Sequence, residues 1–143
     1  MPAPELRTAT AADLPAILAF WQIAAEDAHR PADSTAALEA LVARDPEALI
    51  LAVDPDTAEL VGTVIAGWDG WRCHLYRLAV HPGRRRAGIG RLLVDAAEAR
   101  FRTFGGTRAD AMVLNDNDLA HHAWRSGGYE QQAEWSRWVK PLG

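Results

Sequence analysis

Apolar positions along the chain recur with two different periods. Leu14, Ile17, Leu18, Trp21 and Ala25 fall at helical spacing, which predicts a helix from Asp13 to roughly Asp27 with Asp13 as its cap. A polar break follows at Glu26, Asp27, His29, Arg30 and Pro31. Ser34 then caps a second helix, carrying Leu38, Leu41 and Val42 and stopping before Pro46. Leu6 to Thr10 reads as a short edge strand. Leu49 to Val53 and Leu60 to Trp68 read as a hairpin across Asp54-Pro55-Asp56, and Cys73 to Val80 is a further strand after the turn at Asp69-Gly70. From about Gly88 to Phe104 the helical period returns, with Ile89, Leu92, Leu93, Ala96, Ala97 and Ala99 toward the body and arginines and acids outside. Gly105-Gly106 ends that helix. Arg108 to Leu114 is then a strand and Leu119 to Ser126 a short helix. The chain from Tyr129, with Trp135, Trp138 and Val139, should add one or two closing strands. This order predicts an α+β fold of mixed α/β layers around a central sheet.

Composition narrows the function. The 143 residues are 49% hydrophobic and 24% charged, which suits a single globular domain spanning 1–143. The net charge of -4 sets any basic patch against an acidic background, unlike a protein built to coat nucleic acid. Cys73 is the only cysteine, so an intrachain disulfide and a four-cysteine zinc site are excluded. His121 and His122 are adjacent and do not share a helical face, so no metal site is read there. The N-terminal MPAPELRTATAADL has neither a basic start nor an apolar core, and no apolar run approaches the about 18 residues of a membrane span. A cytoplasmic protein that does not enter a membrane is expected.

The chemistry concentrates in His81 to Arg100, HPGRRRAGIGRLLVDAAEAR. A turn leaving a strand at Val80 and entering a helix near Gly88 aims unpaired backbone N–H groups at one spot. Glycines let a bulky anion approach, and the helix start adds partial positive charge. A pyrophosphate fits this better than a base edge does. The stretch lacks the Lys-Ser/Thr end of a P-loop and has two glycines rather than three. On residue types alone, an anion site and a merely solvated basic surface both remain open.

Leu78-Ala79-Val80-His81-Pro82 followed by Arg85-Arg86-Ala87-Gly88-Ile89-Gly90 resembles the acetyl-coenzyme A signature of the GNAT N-acetyltransferase family, Gln/Arg-x-x-Gly-x-Gly/Ala behind a strand ending Leu-x-Val-x-Pro. A second family hallmark is matched at Asn117, Ala120, Gly128 and Tyr129, and Val61-Gly62-Thr63-Val64 sits where members carry a Val-Gly third strand. The resemblance runs through nearly the whole chain and looks closest to small bacterial stand-alone members. It implies a GNAT-like mixed, mostly antiparallel sheet flanked by helices.

It also implies acetyl-CoA as acyl donor. The backbone of Leu78, Ala79 and Val80 would pair with the pantetheine arm, Arg85, Arg86, Ala87, Gly88, Ile89, Gly90 and Arg91 would hold the pyrophosphate, and Asn117 would assist the arm. An acceptor amine would attack the thioester directly in a ternary complex, without a covalent enzyme intermediate. The acceptor is a small-molecule amine, a protein N-terminus or a lysine. Cys73 is then packing rather than a nucleophile.

One position departs from the pattern. Members often carry a tyrosine where this chain has Trp124, and an indole N–H donates a hydrogen bond without being a usable proton source. Another residue, with Tyr76 as the candidate, supplies the proton, or water does, or the thiolate leaves unprotonated with electrostatic help. His74 is the candidate base on the central strand, and Glu26, Asp27, His29 and Asp69 are candidates to line the acceptor pocket. The tryptophans outside the first helix could cover the acceptor mouth, pack the sheet or form a homodimer face. Two rival readings stand beside the enzyme: a coenzyme A-binding module whose chemistry has lapsed, and a nucleic-acid binder using Arg84, Arg85 and Arg86.

Overall fold

Five of the apolar runs hydrogen-bond side by side in chain order. In the computed structural model, which describes residues 3–25 and 31–143, these are β1 (Glu5–Thr8), β2 (Leu49–Val53), β3 (Leu60–Trp68), β4 (Cys73–Val80) and β5 (Ala109–Ala111). The first three pairings are antiparallel and β4–β5 is parallel. A parallel pair needs a crossover rather than a tight turn, and α3 (Ile89–Thr103) supplies it. With α1 (Leu14–Ala24) and α2 (Thr35–Arg44) ahead of β2, this is the expected mixed, mostly antiparallel sheet flanked by helices. The chain divides into two compact units. Met1–Met112 holds the sheet with α1 to α3, and Val113–Gly143 holds α4 (Asp118–Ser126) and the segment after it. Among the described residues no helix is long and apolar enough to cross a membrane.

Several details differ from the sequence expectation. Asp13 stands at the start of α1 without capping it: its carboxylate accepts from the Thr10 N–H at 2.8 Å and from both terminal nitrogens of Arg7 at 2.8 Å. On α3 the buried residues are Ile89, Leu93, Val94, Ala97 and Phe101, while Leu92 and Ala99 are exposed. The i, i+4 row from Ile89 to Phe101 sets the buried stripe, and Leu92 and Ala99 lie off it. Arg100, expected outside, turns inward to the Ala66 carbonyl at 2.8 Å and to both Asp45 oxygens at 2.7 and 2.6 Å. The closing strands are absent: residues 129–143 contain no strand, and Trp135 and Trp138 are 74% and 93% exposed. Their spacing of three, with Val139 directly after, cannot put all three side chains on one strand face.

The packing against β3 explains Gly62. A Cβ there would lie 2.9 Å from Ile89 Cγ2 and from Leu93 Cδ1, so the missing side chain lets α3 close onto the sheet. On the opposite face Ile17, Phe20 and Trp21 of α1 join Leu49, Leu51 and Val53 in the core.

Between β3 and β4 the register slips. Thr63 pairs with Ala79 but Ile65 with Tyr76, which inserts one extra residue into β4 and places Arg77 at φ +50°. A buried relay holds this bulge. The Trp21 indole N–H donates to Thr63 Oγ1 at 2.9 Å, and that hydroxyl donates to the Arg77 carbonyl at 2.8 Å. The Arg77 guanidinium pairs with Asp33 at 2.5 Å and lies 5.1 Å from the Trp21 ring. Thr63 is fully buried, so Thr63→Val keeps the shape and strands an indole donor and a carbonyl acceptor. The expected loss is about 2–3 kcal/mol of stability, with Thr63→Ser losing less, read from urea unfolding midpoints.

Candidate active site

β5 covers only part of β4. Its pairing runs from Cys73 to Leu75, so among the described residues no strand pairs with the β5-side edge of β4 from Tyr76 to Val80. The bulge falls within this open stretch and breaks the alternation of β4 there. A length of uncovered strand edge can accept an extended, amide-bearing ligand as an additional strand. Leu78, Ala79 and Val80 all lie on it.

At the end of β4 the chain makes a single 3-10 turn, Pro82–Arg84, and then an exposed turn through Arg85, Arg86, Ala87 and Gly88. Arg86 has φ +68° and Gly88 φ +81°. Gly88 caps α3, and the first intrahelical bond runs from the Leu92 N–H to the Gly88 carbonyl at 3.1 Å. The N–H groups of Ile89 and Gly90 precede that bond and have no acceptor within the helix. A Cβ at Gly88 would meet nothing within 4 Å, so open space lies over the turn. This geometry suits an anion held by backbone N–H groups and helix charge.

The three arginines separate in role. Arg84 is tied down: it reaches Asp54 at 2.8 Å and Glu59 at 3.8 Å. The Arg84 hydrogen bond and the Asp56 and Thr57 N–H groups together hold the Asp54 carboxyl below the usual carboxylate range despite its burial. Arg85 and Arg86 are exposed at the helix start. Arg91, one turn on, forms an exposed i, i+4 pair with Asp95 at 3.2 Å.

Three of the proposed chemical residues meet on one face of the sheet. His74 and Tyr76 are two apart on β4, and their ring centroids are 6.1 Å apart. Gly67 pairs with His74 across β3, and a Cβ on it would lie 3.1 Å from the Tyr76 ring, so the tyrosine lies over a glycine. Asp69 approaches from the β3–β4 turn. Its Oδ1 accepts the N–H groups of Trp71 at 2.8 Å and Arg72 at 2.6 Å, and its Oδ2 lies 3.6 Å from His74 Nε2. The Arg72 and Trp71 N–H groups hold the Asp69 carboxyl below its ordinary range, so it is ionised at neutral pH. On the other side, His74 Nδ1 makes a 2.7 Å hydrogen bond to Asp110 Oδ1. Cys73 points away from this group and is buried, which pushes its thiol up.

In the second unit, Asn117 caps α4: its Oδ1 accepts the Ala120 N–H at 3.1 Å, leaving the side-chain NH₂ to donate elsewhere. Trp124 packs edge-on against Tyr129 at 4.9 Å. His121 Nε2 donates to the Leu114 carbonyl at 2.9 Å. Glu26, Asp27 and His29 lie outside the described residues. Among the described residues no group of three His, Cys, Asp or Glu side chains is arranged to hold a metal ion.

Sequence reading missed Asp110, Thr63 and Arg77. Asp110 carried a signal, since an acid between Ala109 and Ala111 inside a predicted strand asks for a partner. Thr63 and Arg77 carried none, because their link depends on a register slip between two strands.

A sheet that leaves its fourth strand partly uncovered, followed by a glycine turn into a helix, suits an extended ligand that carries an anionic group, and proteins of similar sequence identify the family. The sequence pattern of the Acetyltransferase (GNAT) family matches residues 14–129. An acetyltransferase of Sodalis glossinidius is 30% identical over 129 residues, covering 90% of this chain and 88% of that protein. One of Pectobacterium atrosepticum is 31% identical over 127 residues, covering 88% and 87%. The crystal structure of Ard1 from Thermoplasma volcanium superimposes with a TM-score of 0.78 at 20% identity, covering 92% of this chain and 86% of that one. The chain belongs to the GNAT acetyltransferase family. It is an acetyltransferase with a coenzyme A-binding fold, and the open β4 edge and the glycine turn fit that cofactor.

Proposed function

We propose that this protein is an acetyl-CoA-dependent N-acetyltransferase acting on a primary amine. The observation that carries the reading is the uncovered edge of β4, which runs from Tyr76, beside the His74 cluster, to Val80, ahead of the Gly88 turn. Leu78, Ala79 and Val80 would hold the pantetheine amides along this edge. Backbone N–H groups from Arg85 to Gly90 would hold the pyrophosphate, with Arg85 and Arg86 adding charge. When bound, the cofactor supplies an activated acetyl thioester.

The chain's own residues deal with protons and orientation. His74 Nε2 would take one proton from the acceptor ammonium and so free its lone pair for attack on the thioester that the bound cofactor supplies. The Tyr76 hydroxyl or water would supply the proton for the departing thiol, and the second proton that the nitrogen sheds on becoming an amide would pass to the resulting Tyr76 phenolate or to water. Asp69 Oδ2, ionised and beside Nε2, attracts the ammonium before it is deprotonated. Trp124 takes no part in proton transfer, and Trp124→Tyr should leave kcat and its pH profile unchanged.

The test is release of free thiol from acetyl-CoA across a panel of small amines, lysine peptides and free peptide N-termini. Amine-dependent release supports the reading. Tight coenzyme A binding with no turnover across the panel overturns it in favour of a lapsed binding module. Salt-steep nucleic-acid binding that coenzyme A does not displace would favour the third reading, but Arg84 is already committed to Asp54 and Glu59.

A further inference from the structure

The imidazole of His74 sits between two carboxylates at unequal distances. Asp110 Oδ1 is 2.7 Å from Nδ1, a full hydrogen bond, and Asp69 Oδ2 is 3.6 Å from Nε2, beyond hydrogen-bond reach. A neutral imidazole carries one N–H, and the closer acceptor takes it. The parallel pairing places Asp110 directly opposite His74, so the contact is built into the register of the sheet. Asp69 is separately anchored through Oδ1 by two backbone N–H groups.

We propose that Asp110 is the positioning residue of the base: it keeps the proton on Nδ1, so that Nε2 presents its lone pair to the acceptor amine. The inference rests on the reading of His74 as base given above. Without Asp110, the carboxylate nearest the ring is Asp69, and it draws the N–H to Nε2. The ring then donates where it has to accept, and the reaction loses its proton acceptor although every group it touches is present. Among the described residues, the groups facing the ring are Asp69 from the turn, Asp110 from β5 and Tyr76 from its own strand.

The test uses the full chain with nitrogen-15 labelled histidine. In the unmodified protein at alkaline pH, long-range proton–nitrogen spectra should show His74 protonated at Nδ1. Asp110→Ala should move the proton to Nε2, Asp110→Glu should restore Nδ1, and Asp69→Ala should leave it on Nδ1. In steady-state assays Asp110→Ala should lower kcat on the order of 10- to 100-fold with KM for acetyl-CoA unchanged, and Asp110→Glu should recover part of it. Asp110 is half exposed on an edge strand, so the alanine variant should fold, and its coenzyme A affinity reports on that. An Nε2 proton in the unmodified protein, or an unmoved proton in Asp110→Ala, overturns the proposal while leaving His74 as base. Full activity in His74→Gln overturns the base reading itself and the proposal with it.

Discussion

Gly88→Val should weaken binding of acetyl-CoA by about 100-fold or more, since the site is made of backbone and the substitution acts on backbone. Gly88 sits at φ +81°, a region that is a steric outlier for a β-branched residue. Beyond its chain neighbours nothing lies within 4 Å of the added Cβ, so the strain comes from the backbone angle and is relieved by turning the peptide units around residue 88. Those units carry the N–H groups that open α3 and that are proposed to hold the pyrophosphate. A control separates this from plain destabilisation. Gly105, past the C-terminal end of α3, has φ +82° and equally open space, about 25 Å away along the helix axis at the rise of an α-helix. Gly105→Val should cost comparable stability and leave cofactor affinity intact. Arg84→Ala should change affinity less than about threefold, because the Arg84 charge is already directed to Asp54 and not to solvent. Calorimetric titration with coenzyme A reads all three. Equal losses from Gly88→Val, Gly105→Val and Arg84→Ala would sink the backbone-cradle reading.

How much of this was legible beforehand varies with the distance over which a feature is encoded. β2, β3 and β4 have the bounds their apolar runs predicted, because each is a short run closed by Asp-Pro, Asp-Gly or His-Pro and needs no distant partner to be recognised. The Gly88 turn was legible for the same reason. The β4 bulge was not: it arises because β3 and β4 are out of step by one residue, and Arg77 in an apolar strand looks like any exposed arginine until Thr63 is known to hold its carbonyl. His74 was visible as a residue, but its partner Asp110 is 36 positions away and is reached only through a parallel pairing created by α3. The closing strands failed in the opposite sense. Trp135 and Trp138 have the residue type of strands without the alternation, and aromatic content alone does not make a buried face.

His74→Gln should lower kcat by about 10²–10³-fold, the usual contribution of a positioned general base, with KM for acetyl-CoA little changed because the β4 edge and the Gly88 turn are untouched. Glutamine keeps a polar, planar side chain that can still bond Asp110, so the loss isolates the proton acceptor from the packing. The deficit should depend on pH in a definite direction. The reacting form of the acceptor is the free amine, and for a lysine-like amine, with a pKa of about 10.4, it is scarce at neutral pH. A base on the enzyme matters most there. As pH rises toward the amine's own pKa, water delivers the free amine unaided, so the ratio of unmodified to variant kcat should shrink steadily. A ratio that stays constant from pH 7 to 10 would mean that His74 only orients the acceptor or supports the strand. Tyr76→Phe separates the other end of the reaction. If Tyr76 rather than water protonates the departing sulfur, as proposed above, its removal should lower kcat without the pH-dependent recovery and should be nearly silent for a donor whose thiolate needs no proton to leave. The two variants together distinguish which proton transfer limits the rate.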